Sequence, residues 1–125
     1  MIYLVSKNID VSGMNGIEGL SIADSRDLIR SWPVKQYDSE TTGLNANLCD
    51  MTAMQFGYKN FSDNTSDQVV IDCKTVSPLD YKDILEHSYL IGHNIKFDIK
   101  FLYNYGIIPR NVYCTLICEQ LLHLG

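Results

Sequence analysis

A chain of 125 residues is long enough for one domain with a modest hydrophobic core. Its 46% hydrophobic and 20% charged residues are typical of a globular protein and exclude a disordered chain. The net charge of −5 argues against a protein that holds nucleic acid by basic charge alone. It does not exclude a metal-dependent nuclease, because bound cations would supply positive charge where phosphates lie.

The sequence also indicates a compartment. Its apolar runs are far shorter than a membrane span requires, so we expect no membrane contact. Residues 1–5 are too short for a secretory signal and lack its basic start. Four cysteines without such a signal are typical of reduced thiols. Together these features predict a cytoplasmic protein.

The first half of the chain alternates apolar segments with turn residues. Its predicted elements are a strand at 2–6, a glycine-rich loop at 12–19, a helix at 22–31, and strands at 34–38, 51–58 and 68–72. Ser21 is suited to cap the helix, with Asp24 three residues later, and Pro33 ends it. A polar hairpin loop is expected at 60–67. Three successive strands with short connections predict an antiparallel meander.

The second half has a different pattern, in which helices and strands alternate. Its predicted elements are a helix from 78 to about 87, a strand at 89–91, a helix at 94–105, a strand around 112 and a helix at 115–122. Ser77 and Pro78 suit the start of the first helix, and Gly106 suits the end of the second. The whole order predicts a single α/β domain over 1–125, with a mixed sheet of meander and parallel strands flanked by helices.

Two acids lie one residue apart at the end of the strand predicted at 34–38. On a strand, Asp38 and Glu40 point to the same face, and Thr-Thr-Gly then turns the chain. Neighbouring carboxylates repel each other unless a cation lies between them, and Mg²⁺ or Mn²⁺ prefers such oxygen ligands. The alternative is an ordinary solvated strand end.

A third acid, Asp98, lies on the helix predicted at 94–105. Residues 94, 98, 102 and 105 share one face of that helix, so Asp98 lies on or beside its buried stripe. A carboxylate there requires a partner: an Asn or Lys side chain, a backbone donor or a metal. The alternative is an aspartate at the rim, paired with a lysine.

These residues carry a family resemblance. Residues 38–44 (Asp-x-Glu-Thr-Thr-Gly-Leu) and 93–98 (His-Asn-x-Lys-Phe-Asp) closely resemble the first two motifs of the DEDD 3′–5′ exonucleases. Residues 112–122 resemble the strand and helix that follow the second motif. The short spacing from Glu40 to Asp98 is similar to that in the proofreading domain of DNA polymerase I or in ribonuclease D.

The resemblance implies a ribonuclease-H-like fold and hydrolysis of phosphodiester bonds at single-stranded DNA 3′ ends, with RNA as another possible substrate. It implies that two divalent cations, Mg²⁺ or Mn²⁺, are bound by the catalytic carboxylates of Asp38, Glu40 and Asp98. It also implies that four residues contact the substrate: Thr41, Leu44, Asn94 and Phe97.

The chain departs from the family pattern in two places. Cys114-Thr115 stands where the family usually has Asp-Thr. No Tyr-x-x-x-Asp sequence supplies the third motif and the fourth carboxylate, so we expect a domain truncated at its C-terminus. The alternative function is a truncated or degenerate module that binds nucleic acid or a protein partner without catalysis. The missing third motif implies three candidate partners for this chain. They are a second copy of the chain, by self-association, a further C-terminal segment and a polymerase domain.

Other candidate sites are weaker. A zinc site would need Cys114, Cys118 and His123, which lack paired spacing and a fourth ligand. Cys49 and Cys73 are expected to be buried apolar residues and not reactive thiols. His87 and His93 could act as bases, but His93 is expected to be structural, by analogy with the motif.

Overall fold

The structure is a computed structural model, and it describes residues 1–116. Its first elements are β1 (Ile2–Val5), β2 (Ile17–Gly19), α1 (Ile22–Ser31), β3 (Lys35–Thr41), β4 (Met51–Asn60) and β5 (Thr65–Asp72). A 3₁₀ turn (Pro78–Tyr81), α2 (Lys82–His87), β6 (Tyr89–Gly92), α3 (Ile95–Tyr103) and β7 (Asn111–Cys114) follow. The strands form one sheet in the order β2-β1-β5-β4-β3-β6-β7.

Both antiparallel and parallel pairs occur in this sheet. Strands β3, β4 and β5 form the antiparallel meander, and β3–β6, β6–β7, β1–β5 and β1–β2 are parallel pairs. Helices lie in the connections that lead into and out of β6, as parallel crossovers require. The predicted α/β class, with a meander continued by parallel strands, is therefore confirmed.

Burial alternates along β3. Lys35, Tyr37 and Ser39 are buried, while Gln36, Asp38 and Glu40 are exposed, which is the period of two expected for a strand with one covered face. Helical segments contact the covered face. Lys35 Nζ donates to the carbonyl of Trp32 at the end of α1 (2.6 Å), the Tyr81 and Phe56 rings lie 6.0 Å apart, and α3 contacts Ser39.

The caps predicted at Ser21 and Gly106 are present, but α3 spans Ile95–Tyr103 and so ends two residues before the predicted 105. Ser21 Oγ accepts from the backbone N–H of Asp24 (3.0 Å) at the start of α1. Gly106 has a φ of +72° just beyond α3, where a left-handed residue ends the helix. Asn94 precedes α3 with a φ of +52°, a conformation that asparagine tolerates better than most residues. The second motif therefore turns sharply from β6 into α3.

Three sequence predictions require correction. Part of the loop expected at 12–19 is a strand, because 17–19 form β2 and pair in parallel with β1. The hairpin loop expected at 60–67 is only 61–64, since polar residues on both sides continue the β4–β5 ladder. The helix expected from 78 begins as a 3₁₀ turn. Of the helix expected at 115–122, residues 115 and 116 are helical and the remainder lies outside the described residues.

None of the helices within residues 1–116 is both long enough and apolar enough to cross a bilayer.

Candidate active site

The candidate site lies where two parallel strands separate. β3 and β6 pair only over Lys35–Leu90 and Gln36–Ile91, after which β6 ends at Gly92 while β3 continues to Thr41. Beyond that point β3 still pairs with β4 on its other edge, and the first turn of α3 lies beside the edge that β6 has left. A Cβ on Gly92 would lie 2.8 Å from the carbonyl oxygen of Tyr37, so only glycine allows this close approach. The fork therefore brings both sequence motifs together.

Ser39 is the residue through which α3 contacts β3 at the fork. Its hydroxyl donates to Asp98 Oδ1 (2.5 Å), and its backbone N–H points to the same oxygen (3.2 Å). Asp98 is only 3% exposed. The prediction that it lies on the buried stripe is confirmed, and a backbone donor is one of its partners. The alternative of a rim aspartate paired with a lysine is wrong.

Asp38 shares this donor. The backbone N–H of Ser39 also contacts Asp38 Oδ1 at 3.0 Å. The Oδ1 atoms of Asp38 and Asp98 therefore both lie within hydrogen-bonding distance of the same nitrogen. Burial raises the pKa of Asp98, the Ser39 hydroxyl opposes this, and the charge of Asp38 raises the pKa further. A charged pair in this position is costly without a cation.

Glu40 shares the exposed face of β3 with Asp38, as the sequence predicts. Its backbone carbonyl accepts from Thr52 Oγ1 (3.1 Å), and the ladder to β4 shifts register immediately after it. Within residues 1–116, no three histidine, cysteine, aspartate or glutamate side chains form a group that could hold a metal. The structure thus brings the carboxylates of Asp38 and Asp98 to the backbone N–H of Ser39. It does not bring the carboxylate of Glu40 into the same group.

Of the four residues expected to contact substrate, two lie at or just after the end of β3 and two lie at the start of α3. Leu44 is 87% exposed on the loop after β3, and Thr41 Oγ1 donates to the carbonyl of Gly43 (2.8 Å). Asn94 is exposed at the start of α3. Phe97 is half-buried, with its ring centroid 5.3 Å from that of Phe101. Neither Leu44 nor Phe97 is enclosed by the core, so both are accessible to a ligand.

Two features of the fork are absent from the sequence predictions. One is Ser39. A polar side chain at a position that the alternation of β3 buries was the sequence signal that it needs a polar partner. The other is a cavity of about 480 Å³ on the exposed face of the sheet, with Asp38 on its wall. Its other polar residues include Gln36, Gln55, Gln68, His93 and Thr115. The alternation of polar and apolar residues along the strands was the only sequence signal for this cavity.

Histidine and cysteine side chains near the fork have structural contacts. His93 Nδ1 lies 3.1 Å from Thr115 Oγ1 and joins the start of α3 to the end of β7. Cys49 and Cys73 are half-buried against the core, and burial raises the pKa of Cys73 to about 12. The expectation that these two are not reactive thiols agrees with this environment. Of the candidate zinc ligands, Cys118 and His123 lie outside the described residues.

A curated relative adds sequence information to this geometry. DNA polymerase I of Aquifex aeolicus (strain VF5) is 32% identical over 114 residues, which is 91% of this chain but 18% of that protein. The chain therefore spans a small part of the polymerase that it matches.

Solved structures show the same fold. Brucella melitensis NrnC bound to pGG matches with a TM-score of 0.59 and 19% identity, over 97% of this chain and 52% of that chain. NrnC with bound Mg²⁺ gives 0.56 and 20%, over 97% and 53%. Escherichia coli RNase D, an exoribonuclease involved in structured RNA processing, gives 0.59 and 17%, over 75% and 24%. These likenesses confirm the ribonuclease-H-like fold.

The family itself is shown by a sequence profile. The profile of the 3′–5′ exonuclease domain matches residues 27–125, which include β3, the fork, α3 and both motifs. Because this match covers most of the chain, the protein belongs to the 3′–5′ exonuclease family.

Proposed function

We propose that this chain is a metal-dependent exonuclease domain that removes nucleotides from the 3′ ends of single-stranded DNA, as in polymerase-I-type proofreading. The observation that carries the proposal is the placement of Asp38 and Asp98 on one backbone donor at the β3–β6 fork. The preference for DNA follows from the 32% identity to a DNA polymerase I. RNase D, whose substrate is RNA, is 17% identical and supports the fold alone.

The side chains at the fork fit a hard divalent cation. They offer carboxylate oxygens, which Mg²⁺ and Mn²⁺ prefer, and the buried carboxylate of Asp98 has little compensation besides Ser39. Asp38, Glu40 and Asp98 would hold the cations, with Glu40 moving toward the other two. Bound Mg²⁺ in NrnC, which shares the fold, supports a divalent cation as the ligand of this domain. When bound, such cations activate a water molecule and stabilise the departing 3′ oxygen.

The protein residues around the carboxylates would position the strand. Ser39 holds Oδ1 of Asp98, so the second oxygen would be the one that binds a cation. Leu44 and Phe97 would contact the terminal nucleotide, with Leu44 against the base. Thr41 and Asn94 would contact the sugar and phosphates from the two motifs. NrnC, which shares the fold, is solved with bound pGG, and this supports a nucleic-acid ligand for this domain.

A second candidate is a module that binds nucleic acid or a partner without cutting. It is favoured by one observation, that the described residues join two carboxylates and not three. In this case the chain would bind a polymerase domain or a second copy of itself, and any cleavage would come from that partner. The two candidates differ in whether the bound strand is shortened.

Cleavage under enzyme excess tests the proposal. The chain is incubated with a 5′-labelled single strand and Mn²⁺, as DNA and as RNA of one sequence. We expect DNA products that shorten stepwise from the 3′ end, disappear with EDTA and are absent for Asp38→Ala. Asp27→Ala removes an exposed aspartate on α1 and serves as the matched control. Binding without shortening would favour the second candidate, and faster cleavage of RNA would overturn the DNA assignment.

A further inference from the structure

The exposed face of the sheet, opposite the helices, carries apolar side chains that the core does not use. Residues paired in register point to the same face, so the exposed position of Gln36 on β3 also fixes its neighbours across the sheet. One row across five strands follows from these pairs: Ile2, Gln68, Gly57, Gln36 and Ile91. Neither isoleucine of this row belongs to the hydrophobic core cluster.

The rows on either side of this one add to the apolar surface. Toward the carboxyl ends of the parallel strands, Leu4 is paired with Val70. Toward the amino ends, Val34 and Tyr89 line a second cavity together with Ile91, and Tyr89 is 65% exposed. None of these residues is part of the core cluster. Apolar side chains that share one face and lie outside the core indicate a contact surface.

Three glutamines occupy the middle of this face, around Gly57. Gln36 and Gln68 flank Gly57 in register, and Gln55 precedes it by two residues on β4. Gly57 has no side chain, and the three glutamines line the cavity of about 480 Å³ above it. Their side-chain amides form no hydrogen bond with any residue of 1–116. An amide carries both donors and an acceptor, so the middle of this face is complementary to an identical surface.

Charges on the exposed face are separated along the strands. Asp38 and Glu40 lie toward the carboxyl end of β3, and Asp72 lies at the same edge of β5. Lys59 lies toward the opposite edge, is exposed and makes no ion pair within residues 1–116. Two copies stacked with their strands in opposite directions bring carboxylates of one copy toward Lys59 of the other. Stacking in the same direction would bring like charges together, which is unfavourable.

We propose that the exposed face binds a second copy of this chain, with the strands of the two sheets antiparallel and a two-fold axis across the row of Gly57. In such a symmetric dimer the glutamines of this row face their own equivalents. Lys59, two residues after Gly57, faces Gln55 of the second copy, two residues before it. Gln55 is paired in register with Asp38, so Lys59 also reaches that carboxylate. Packed sheets lie about 10 Å apart, within reach of these side chains.

This dimer has a consequence for the candidate site. Asp38 lies on the exposed face at the wall of the glutamine-lined cavity, so the second copy covers it. The dimer is therefore a form of the chain in which the site is closed, whatever ligand the open form binds.

Sedimentation velocity of the 125-residue chain in EDTA tests the dimer without requiring cleavage. Between about 1 and 100 µM we expect a monomer–dimer equilibrium, since interfaces of ordinary size reach micromolar affinity or better. Lys59→Glu places a carboxylate against Asp38 of the second copy and should weaken dimerisation at least about tenfold. Gln55→Lys should also weaken it, because the introduced lysine faces Lys59.

The double substitution tests the antiparallel orientation. With Lys59→Glu and Gln55→Lys in one chain, the two introduced charges face each other across the dimer. Within one chain they are roughly 13 Å apart along β4, too far for an ion pair. We expect the double variant to dimerise within about threefold of the wild type. Lys100→Glu makes the same charge change as Lys59→Glu on α3 and should dimerise like the wild type. Circular dichroism shows whether each variant is folded.

Each outcome supports or overturns the proposed dimer. A wild type that is monomeric at about 100 µM would overturn it and would leave the exposed face to a longer chain or to another protein. Equal weakening by Lys59→Glu and Lys100→Glu would overturn the exposed face as the interface. A folded double variant that does not dimerise would overturn the antiparallel orientation. None of these measurements depends on cleavage, so the dimer and the proposed nuclease can fail independently.

Discussion

Ser39 and Asp98, which are 59 positions apart in the sequence, are joined by two hydrogen bonds to one carboxylate oxygen. The hydroxyl and the backbone N–H of Ser39 both reach Oδ1, and neither group contacts the second oxygen of Asp98. Ser39 is the unspecified residue between the two acids of the first motif. The first motif does not specify which residue occupies this position, yet the residue here holds the acid of the second motif in place.

Replacing Ser39 with alanine should lower both the stability of the protein and the affinity of the proposed metal site. Ser39→Ala removes a charge-assisted hydrogen bond at a buried position, so we expect the free energy of unfolding to fall by about 1.5–3 kcal/mol. Urea denaturation measures this change, and Mn²⁺ titration should show weaker binding because Asp98 loses its orientation. Ser62→Ala, on an exposed turn, is the control and should change stability little. Unchanged stability of Ser39→Ala would contradict the assigned hydrogen bond.

Asp98→Asn should stabilise the metal-free chain at neutral pH. Burial raises the pKa of Asp98 in the folded state, so the charged form costs stability above that pKa and the cost vanishes below the unfolded value. Asparagine keeps an oxygen that can accept from Ser39 and carries no charge. We therefore expect a higher melting temperature than the wild type at about pH 7, with the difference shrinking as the pH falls toward about 4, near the ordinary pKa of an aspartate.

The same variant separates stability from metal binding. Added Mn²⁺ should raise the melting temperature of the wild type and leave Asp98→Asn nearly unchanged, because a carboxylate ligand is lost. A wild type more stable than Asp98→Asn at neutral pH without metal would show that the buried charge is compensated by groups other than Ser39.

Gly92→Ala should destabilise the fork. The added Cβ would lie 2.8 Å from the carbonyl oxygen of Tyr37 and 3.1 Å from Ile95, so β3 and β6 must move apart. Such overpacking costs about 1–3 kcal/mol. Gly19→Ala, whose Cβ meets its nearest neighbour at an ordinary 3.5 Å, is the matched control and should cost less. Equal effects of the two substitutions in urea denaturation would argue against a tightly packed fork.

The 125-residue chain should cleave slowly even if Asp38, Glu40 and Asp98 ligate metal. Three carboxylates leave one of two cations under-ligated, and the chain has no Tyr-x-x-x-Asp sequence to orient the attacking water. A longer chain that carries a third motif, compared at equal concentration on a labelled single strand with Mn²⁺, should be much faster. Comparable turnover by the short chain, abolished by Asp38→Ala, would show that the missing motif is unnecessary.

The sequence was sufficient to predict elements whose local signals agree with their tertiary setting. The Ser21 cap, the β3 strand and the Gly106 stop are examples, because each depends on residues close in the chain. β2 was missed because three residues next to glycines carry no periodicity, and its pairing with β1 supplies its stability. The start of β5 was missed because Thr65 and Ser66 are polar and become strand only by pairing with β4.

In the candidate site, too, the features that depend on local sequence were predictable and those that depend on tertiary packing were not. The face shared by Asp38 and Glu40 and the burial of Asp98 follow from periodicity, which the sequence contains. That Ser39 would be the partner of Asp98 does not follow, since it depends on where β6 leaves β3 and how closely α3 then approaches. Gly92 sets that distance, and a glycine in a sequence does not reveal which backbone it faces.

The amide of Ser39 is held by side-chain carboxylates of Asp38 and Asp98 at the fork, where β6 no longer runs beside β3. Its hydrogen exchange with solvent should therefore change when either carboxylate moves, whereas amides deeper in the meander report on larger openings of the sheet. A ligand that draws the carboxylates away would alter the exchange of this one proton. The fork thus carries a natural spectroscopic probe of its own occupancy, readable residue by residue in deuterated buffer.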